Sequence, residues 1–288
     1  MKEITEKTPR LYFAYGSNLD KDDWTQWCIA RGKDSSGLKE IGPAWLDEYQ
    51  LVFDYYSSSR ECGAANIVRI ASGMAATPGA LFEIDDYTLK LLDRKEGVKI
   101  PGCYNREIVT VYTSDGQSHA AVTYIHNAEE PTFFEPSKHY ESLIRNGLLR
   151  LNLPTAWLDF AIERKIHPKF NLVFVYGTLM RGKSRHNDMK DGCEFVCNGT
   201  THGSLYHVSD YPGIVQGEGT VHGELYSAVD MFEVIQRLDW IEGACSENPL
   251  FNRVIRKIQT SNGEFWAYSY QYNREVEETQ LISSGVWI

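Results

Sequence analysis

Two glutamates in this 288-residue sequence stand where a carboxylate can become a proton carrier. Leu89, Leu92 and Glu96 lie at i, i+3 and i+7, and Ile235, Leu238 and Glu242 repeat that spacing. On a helix these positions share the apolar face, so each carboxyl points inward, away from water. Gly97 and Gly243 follow as natural C′ caps, which sets each carboxyl at the negative end of a helix dipole. Burial and dipole both disfavour the ionised form and predict raised pKa values, the condition for general acid/base work near neutrality. The competing expectation is a structural carboxylate paired with Arg106 or Arg253.

A second set of candidates lies in two tight turns. Residues 11–20 read LYFAYGSNLD and residues 172–181 read LVFVYGTLMR, each a short β-prone run ending in Tyr-Gly-hydroxyl. A glycine turn at a strand end can expose successive backbone N–H groups to an anion or oxyanion. That makes Tyr15, Gly16, Ser17, Asn18 and Leu19 candidates, with Tyr176, Gly177, Thr178, Leu179 and Met180 as their counterparts. The plainer reading is an ordinary turn; its recurrence favours a role.

Gly177 to Ser184 also satisfies the phosphate-loop pattern G-x-x-x-x-G-K-[ST]. A nucleotidase needs a long apolar-faced helix after the Lys-Ser, whereas Ser184 to Gly192 offers one apolar side chain, Met189. The sister turn lacks the Gly-Lys-Ser altogether, so the shared function belongs to Tyr-Gly-Ser/Thr. A serine nucleophile at Ser17 lacks the G-x-S-x-G elbow and a histidine at an equivalent place in both copies. Cys193, Cys197 and His202 have no second ligand pair at matching spacing, so no metal or other cofactor is expected.

The elements that must position these residues occur twice, in the same order. Gly79-Ala-Leu-Phe82 is answered by Gly223-Glu-Leu-Tyr226, and Leu92-Asp-Arg-Lys-Glu-Gly97 by Leu238-Asp-Trp-Ile-Glu-Gly243. Asn105-Arg106 is answered by Asn252-Arg253, and Asp115-Gly116 by Asn262-Gly263, each of the latter two joining alternating runs as a β-hairpin. The halves meet in a helical stretch, Pro136–Lys165. Its second helix is expected over Ala156–Ile166, stopped by His167-Pro168. The domains are placed at about 1–165 and 169–288.

The formal charge of −10 argues against non-specific nucleic-acid binding, and no apolar run approaches a membrane span. The polar start MKEITEKTPR lacks a signal-peptide core, which suggests a cytoplasmic protein.

These motifs resemble the γ-glutamylcyclotransferase family. The first half carries Tyr12-Phe-Ala-Tyr-Gly-Ser-Asn-Leu19, Leu92-Asp-Arg-Lys-Glu-Gly-Val98, Tyr140 and Asn152-Leu-Pro154. The second is similar to the γ-glutamylamine cyclotransferase, AIG2-like, branch through Phe174-Val-Tyr-Gly-Thr-Leu-Met-Arg-Gly182, Asn187, Tyr211-Pro-Gly-Ile214 and Glu242. The resemblance implies an α+β protein of two tandem domains, each a curled mixed sheet or barrel with flanking helices. It also implies a cofactor-free reaction in which a small γ-glutamyl substrate closes to 5-oxoproline and expels an amine. Glu96 or Glu242 would carry the proton, and the turn amides would hold the substrate. Tyr104 stands where the second half has Phe251, so a role for its phenol would be confined to the first site. An alternative from another class is a pair of modules that bind small acids without turnover.

Overall fold

Short apolar runs followed by glycine turns, then alternating runs joined by Asp-Gly or Asn-Gly, favour small, tightly closed sheets. The structure, a computed structural model, describes residues 10–71, 75–128, 131–165 and 170–288. Two compact units emerge. Over the described residues one lies within 1–70, 76–111 and 119–168, the other within 71–75, 112–118 and 169–288.

In the first unit β1 (Leu11–Ala14) leads through a one-turn 3-10 helix, Ser17–Leu19, into α1 (Lys21–Ile29). Then come β2 (Lys39–Asp47), β3 (Tyr49–Ser57), β4 (Cys62–Arg69), β5 (Ala76–Glu83) and α2 (Asp86–Glu96). The hairpin β6 (Asn105–Thr113) and β7 (Ser118–Ile125) precedes α3 (Lys138–Arg150) and α4 (Ala156–Ile162). The barrel closes in the order β1-β5-β2-β6-β7, and β3 and β4 form a separate two-stranded ribbon.

The second unit holds β8 (Leu172–Val175), the four-residue α5 (Asn187–Lys190), β9 (Cys193–His207) and β10 (Pro212–Ala228). It continues with α6 (Met231–Ile241), β11 (Phe251–Thr260) and β12 (Gly263–Tyr272). Its barrel runs β8-β10-β9-β11-β12, the same circuit as the first. Even the registers correspond. Phe13 faces Leu81 and Phe174 faces Leu225 in antiparallel pairs, while the parallel closures pair Tyr12 with Val122 and Val173 with Tyr268. The ribbon β3–β4 has its analogue in the far ends of β9 and β10, which pair from Pro212↔His207 to Val215↔Ser204 before an irregularity.

This circuit disposes of the phosphate-loop reading. β8 lies between antiparallel β10 and parallel β12 in a closed barrel, and the helix after Lys183-Ser184 has four residues. No βαβ unit supports a nucleotide there. One helix is shorter than its sequence suggests: α4 ends at Ile162 rather than Ile166, because Arg164 turns left-handed (φ 55) and Lys165 N–H donates to Phe160 O at 3.0 Å. His167-Pro168 falls outside the described residues. Among the described residues no helix is long and apolar enough to cross a membrane.

The glycines repeated before Leu81 and Leu225 now have a cause. A Cβ on Gly79 would lie 2.2 Å from Ala14 O and 2.7 Å from the Phe13 ring; on Gly223 it would lie 2.3 Å from Val175 O and 2.6 Å from the Phe174 ring. Each barrel lays a buried phenylalanine across a glycine of the neighbouring strand. Gly223→Ala should therefore destabilise the protein by about 2 kcal/mol, the cost of overpacking a closed core. Gly16→Ala, whose Cβ would meet nothing closer than Tyr140 Oη at 3.5 Å, should leave the unfolding midpoint nearly unchanged. Urea titration of both variants checks this, and equal midpoints would contradict the packing argument.

Candidate active sites

Each turn grows from the strand before it. Tyr15 and Tyr176, both buried, close their barrels by donating their phenol protons to the carbonyls of Tyr124 and Tyr270, the latter at 2.7 Å. The chain then turns at glycine. In the first unit Leu19 N–H donates to Gly16 O, and in the second Met180 N–H donates to Gly177 O, both at 3.0 Å. The amides of Leu19 and Met180 are thus engaged inside the turns. The opening amides of such a turn have no internal partner, which leaves Ser17 and Asn18, or Thr178 and Leu179, to present N–H groups. Gly177 is sterically required, since a Cβ there would lie 2.6 Å from Pro212. Leu19 is fully buried and packs against Gly147, so its side chain is part of the core.

The glutamates arrive on helices built alike. Asp85 caps α2 by accepting from Thr88 N–H at 2.7 Å, and Asp230 caps α6 by accepting from Glu233 N–H at 3.2 Å. Leu92, Ile235 and Leu238 have no exposed surface and pin the apolar faces. Gly97 (φ 73) and Gly243 (φ 65) turn the chain left-handed directly after the carboxylates. Neither Arg106 nor Arg253 is among the groups that act on Glu96 or Glu242. Arg106 binds Asp93 at 3.2 Å and Arg253 binds Asp239, so the structural-pair alternative fails.

Burial pushes Glu96 above the usual carboxylate range, opposed by the Lys95 charge and by Asn18 Nδ2, which donates to Glu96 Oε1 at 3.0 Å. Burial raises Glu242 to about 7, opposed by the Arg185 charge. Among the described residues its carboxyl makes no hydrogen bond.

The two surroundings differ for a reason visible in the alignment of the halves. Asn18 also donates to Tyr12 Oη at 2.8 Å and accepts from Lys95 Nζ at 2.5 Å. Lys95 reaches Asp23 at 3.1 Å, and Arg60 bridges Asp23 at 2.7 Å to Ser17 Oγ at 3.1 Å. Burial pushes Asp23 up, but Lys95 and Arg60 outweigh it and hold its pKa below the ordinary value. The second half has Leu179, Ile241 and Ser184 at the places of Asn18, Lys95 and Asp23. Its glutamate faces a cavity of about 370 Å³ walled by Tyr176, Gly177, Thr178 and Leu179 on one side and Tyr211 and Phe251 on another. Arg185 and Asp210 are its charged residues besides Glu242.

Tyr104, the expected phenol of the first site, is buried near Glu96, and its own N–H donates to Glu96 O at 3.4 Å. Its hydroxyl donates to Ala65 O at 2.6 Å, which commits it to holding β4. Arg60, Lys95, Asp23, Arg185 and Asp210 were not singled out from the sequence. Arg60 sits in the ribbon turn, whose analogue between β9 and β10 carries Asp210 and no cation; Lys95 was legible only as the neighbour of Glu96.

A profile described as Gamma-glutamyl cyclotransferase, AIG2-like, matches residues 12–142 and 173–288. The Gamma-L-glutamyl-butirosin B gamma-glutamyl cyclotransferase of Niallia circulans is 32% identical over 36% of this chain and 67% of that protein. A putative gamma-glutamylcyclotransferase of Vibrio cholerae is 37% identical over 41% of this chain and 95% of that protein. Among solved structures, YkqA from Bacillus subtilis is 16% identical, covering 93% of this chain and 87% of that one, with a TM-score of 0.38.

Two outcomes follow from the contrast between the carboxylates. Asn18→Leu removes a donor to the charged form of Glu96 and should raise its pKa, while Leu179→Asn should bring Glu242 below about 7. Carbonyl ¹³C titration in labelled protein reads both, and a fall at Glu96 in Asn18→Leu with a rise at Glu242 in Leu179→Asn, or no shift at either, would show that Asn18 does not separate the two sites. For stability the sign is that of a raised carboxylate. Glu242 costs the fold nothing below its ordinary 4.5 and destabilises it as pH rises through about 7. Glu242→Gln should therefore melt above the parent at pH of about 8, with the gap closing near pH of about 4. A gap that widens on acidification would contradict the raised pKa.

Proposed function

Since the chain belongs to the Gamma-glutamyl cyclotransferase, AIG2-like, family, we propose that it converts γ-glutamyl amino acids or γ-glutamylamines to 5-oxoproline and a free amine. The observation that carries this reading is Glu242, raised to about 7 and sharing a cavity of about 370 Å³ with the Tyr176–Leu179 turn. A pKa near the working pH populates both the form that takes a proton and the form that returns it.

In the proposed reaction the glutamate carboxylate takes a proton from the substrate's α-ammonium. The freed amine attacks its own γ-carbonyl carbon, forming the ring C–N bond and a tetrahedral oxyanion. The amides of Thr178 and Leu179, or of Ser17 and Asn18, are placed to receive that oxyanion or the substrate carboxylate. The bond to the leaving nitrogen then breaks as the protonated glutamate delivers its proton there. The ring nitrogen gives up its own extra proton to the regenerated carboxylate, which passes it to the departing amine, leaving neutral 5-oxoproline lactam and an ammonium product. The nucleophile is tethered to its electrophile, so the enzyme's task reduces to holding a reactive conformer and relaying protons from the attacking nitrogen to the leaving one. We read the protein as cytoplasmic and acting on small molecules, in keeping with its charge of −10.

The test is release of 5-oxoproline from γ-glutamyl amino acids, glutathione and γ-glutamyl-ε-lysine. Glu96→Gln, Glu242→Gln or both should lower kcat by roughly a hundredfold or more wherever the altered half carries the activity. For the second site kcat/KM should fall as pH drops below about 7, because the base form is lost. A wild type inactive on the whole panel would leave the two sites as binding modules, and a fully active double variant would remove the glutamates as the proton carriers.

A further inference from the structure

One tyrosine in each barrel is bonded at both ends, to the two parts of the site. The carbonyl of Tyr270, on the closing strand β12, accepts the phenol of Tyr176 from the turn at 2.7 Å. The phenol of the same Tyr270 donates to Asp239 Oδ1 at 2.7 Å, three residues before Glu242 on α6. Arg253, from β11, binds the other oxygen of Asp239. The first unit repeats every part. Tyr124, on β7, accepts the phenol of Tyr15 through its carbonyl and donates its own phenol to Asp93 Oδ1 at 2.9 Å. Arg106, from β6, binds Asp93 Oδ2 at 3.2 Å, three residues before Glu96.

The rest of the two sites has diverged, including Asn18/Leu179, Lys95/Ile241 and Tyr104/Phe251. The four-part linkage of phenol, strand tyrosine, aspartate and arginine has not. Simple packing of a helix against a barrel needs no such polar chain, since Leu92 and Leu238 already supply it. The linkage does something packing cannot: it refers the turn and the end of the glutamate helix to one residue of a strand.

We propose that Tyr270 and Tyr124 are positioning residues, each a strut that sets the separation between the catalytic glutamate and the turn amides. The inference rests on the reading of the glutamates as proton carriers. Neither tyrosine reaches the substrate through its hydroxyl, whose proton is committed to the aspartate. A displacement of about 1 Å at such a site is enough to cost up to a hundredfold in rate.

Tyr270→Phe removes the phenol, keeps the ring and keeps the carbonyl that holds Tyr176. It also removes no charge, since burial and the neighbouring Asp239 hold the phenol neutral. The groups facing Glu242 are Tyr176 and Arg185 beyond β8, Asp210 and Tyr211 between β9 and β10, and Tyr270 itself, with Asp239 one turn earlier on the helix of Glu242. Of these only Tyr270 changes in the variant, and it loses a neutral phenol and no charge. A change in Glu242 titration then reports movement of the carboxyl toward water.

The experiment is ¹³C titration of Glu242 beside kinetics on the substrate the parent turns over. Tyr270→Phe should shift the Glu242 titration down from about 7 and lower kcat about tenfold or more with KM changed less than about threefold. An unshifted titration in folded protein would overturn the strut, whatever the activity. If the parent turns over nothing, the functional reading fails while the titration still decides the positioning claim. Should Tyr270→Phe not fold, Tyr124→Phe poses the same question at Glu96, where an unchanged titration likewise overturns it.

Discussion

A carboxyl kept from water at the negative end of a helix, with no cation bonded to it, is an arrangement that folding alone does not favour. Both burial and the dipole oppose its charge. In each unit the rest of the structure holds it there: a capped helix with a fully buried leucine, a left-handed glycine that ends the helix, and a closed barrel whose last strand anchors the turn opposite. Removing any one of these would let the side chain swing into solvent and regain its ordinary acidity. The proposed chemistry needs that not to happen.

The two units solve this differently within one scaffold. In the first, Asn18 and Lys95 partly offset the desolvation of Glu96, and Asp23 and Arg60 complete a ring of charge around the turn. In the second, leucine and isoleucine take the first two places, and Glu242 faces a cavity with Arg185 as its cationic neighbour. On the proposed reading, a polar, cross-linked site and a less polar one would suit different leaving groups. Duplication preserved the barrel circuit, the glycine beneath the phenylalanine and the tyrosine strut, while the residues lining the sites diverged.

Much of this was legible in the sequence because it is local. The Asp-Gly and Asn-Gly hairpins, the leucine–glutamate spacing and the capping glycines are short-range features, and their recurrence made them stand out. What escaped depends on long-range approach. Arg60 reaches Ser17 from a ribbon turn 43 residues away, and the corresponding turn of the second unit, between β9 and β10, carries no cation to mark it. The phenol of Tyr104 is taken by a carbonyl 39 residues distant, so its availability could not be judged from its position beside Arg106. The phosphate-loop pattern shows the opposite failure. A local match was complete, yet the topology around β8 excludes the function it usually signals.

The central claim is that a glutamate and the opening amides of a turn act on one ligand. The most direct measurement is an amide NMR titration of the labelled protein with 5-oxoproline, the proposed product. The account predicts saturable shifts at Thr178 and Leu179, or at Ser17 and Asn18, together with the carboxyl resonance of the glutamate facing that turn. Saturable binding that moves neither turn, or that moves a turn while leaving its glutamate untouched, would contradict it.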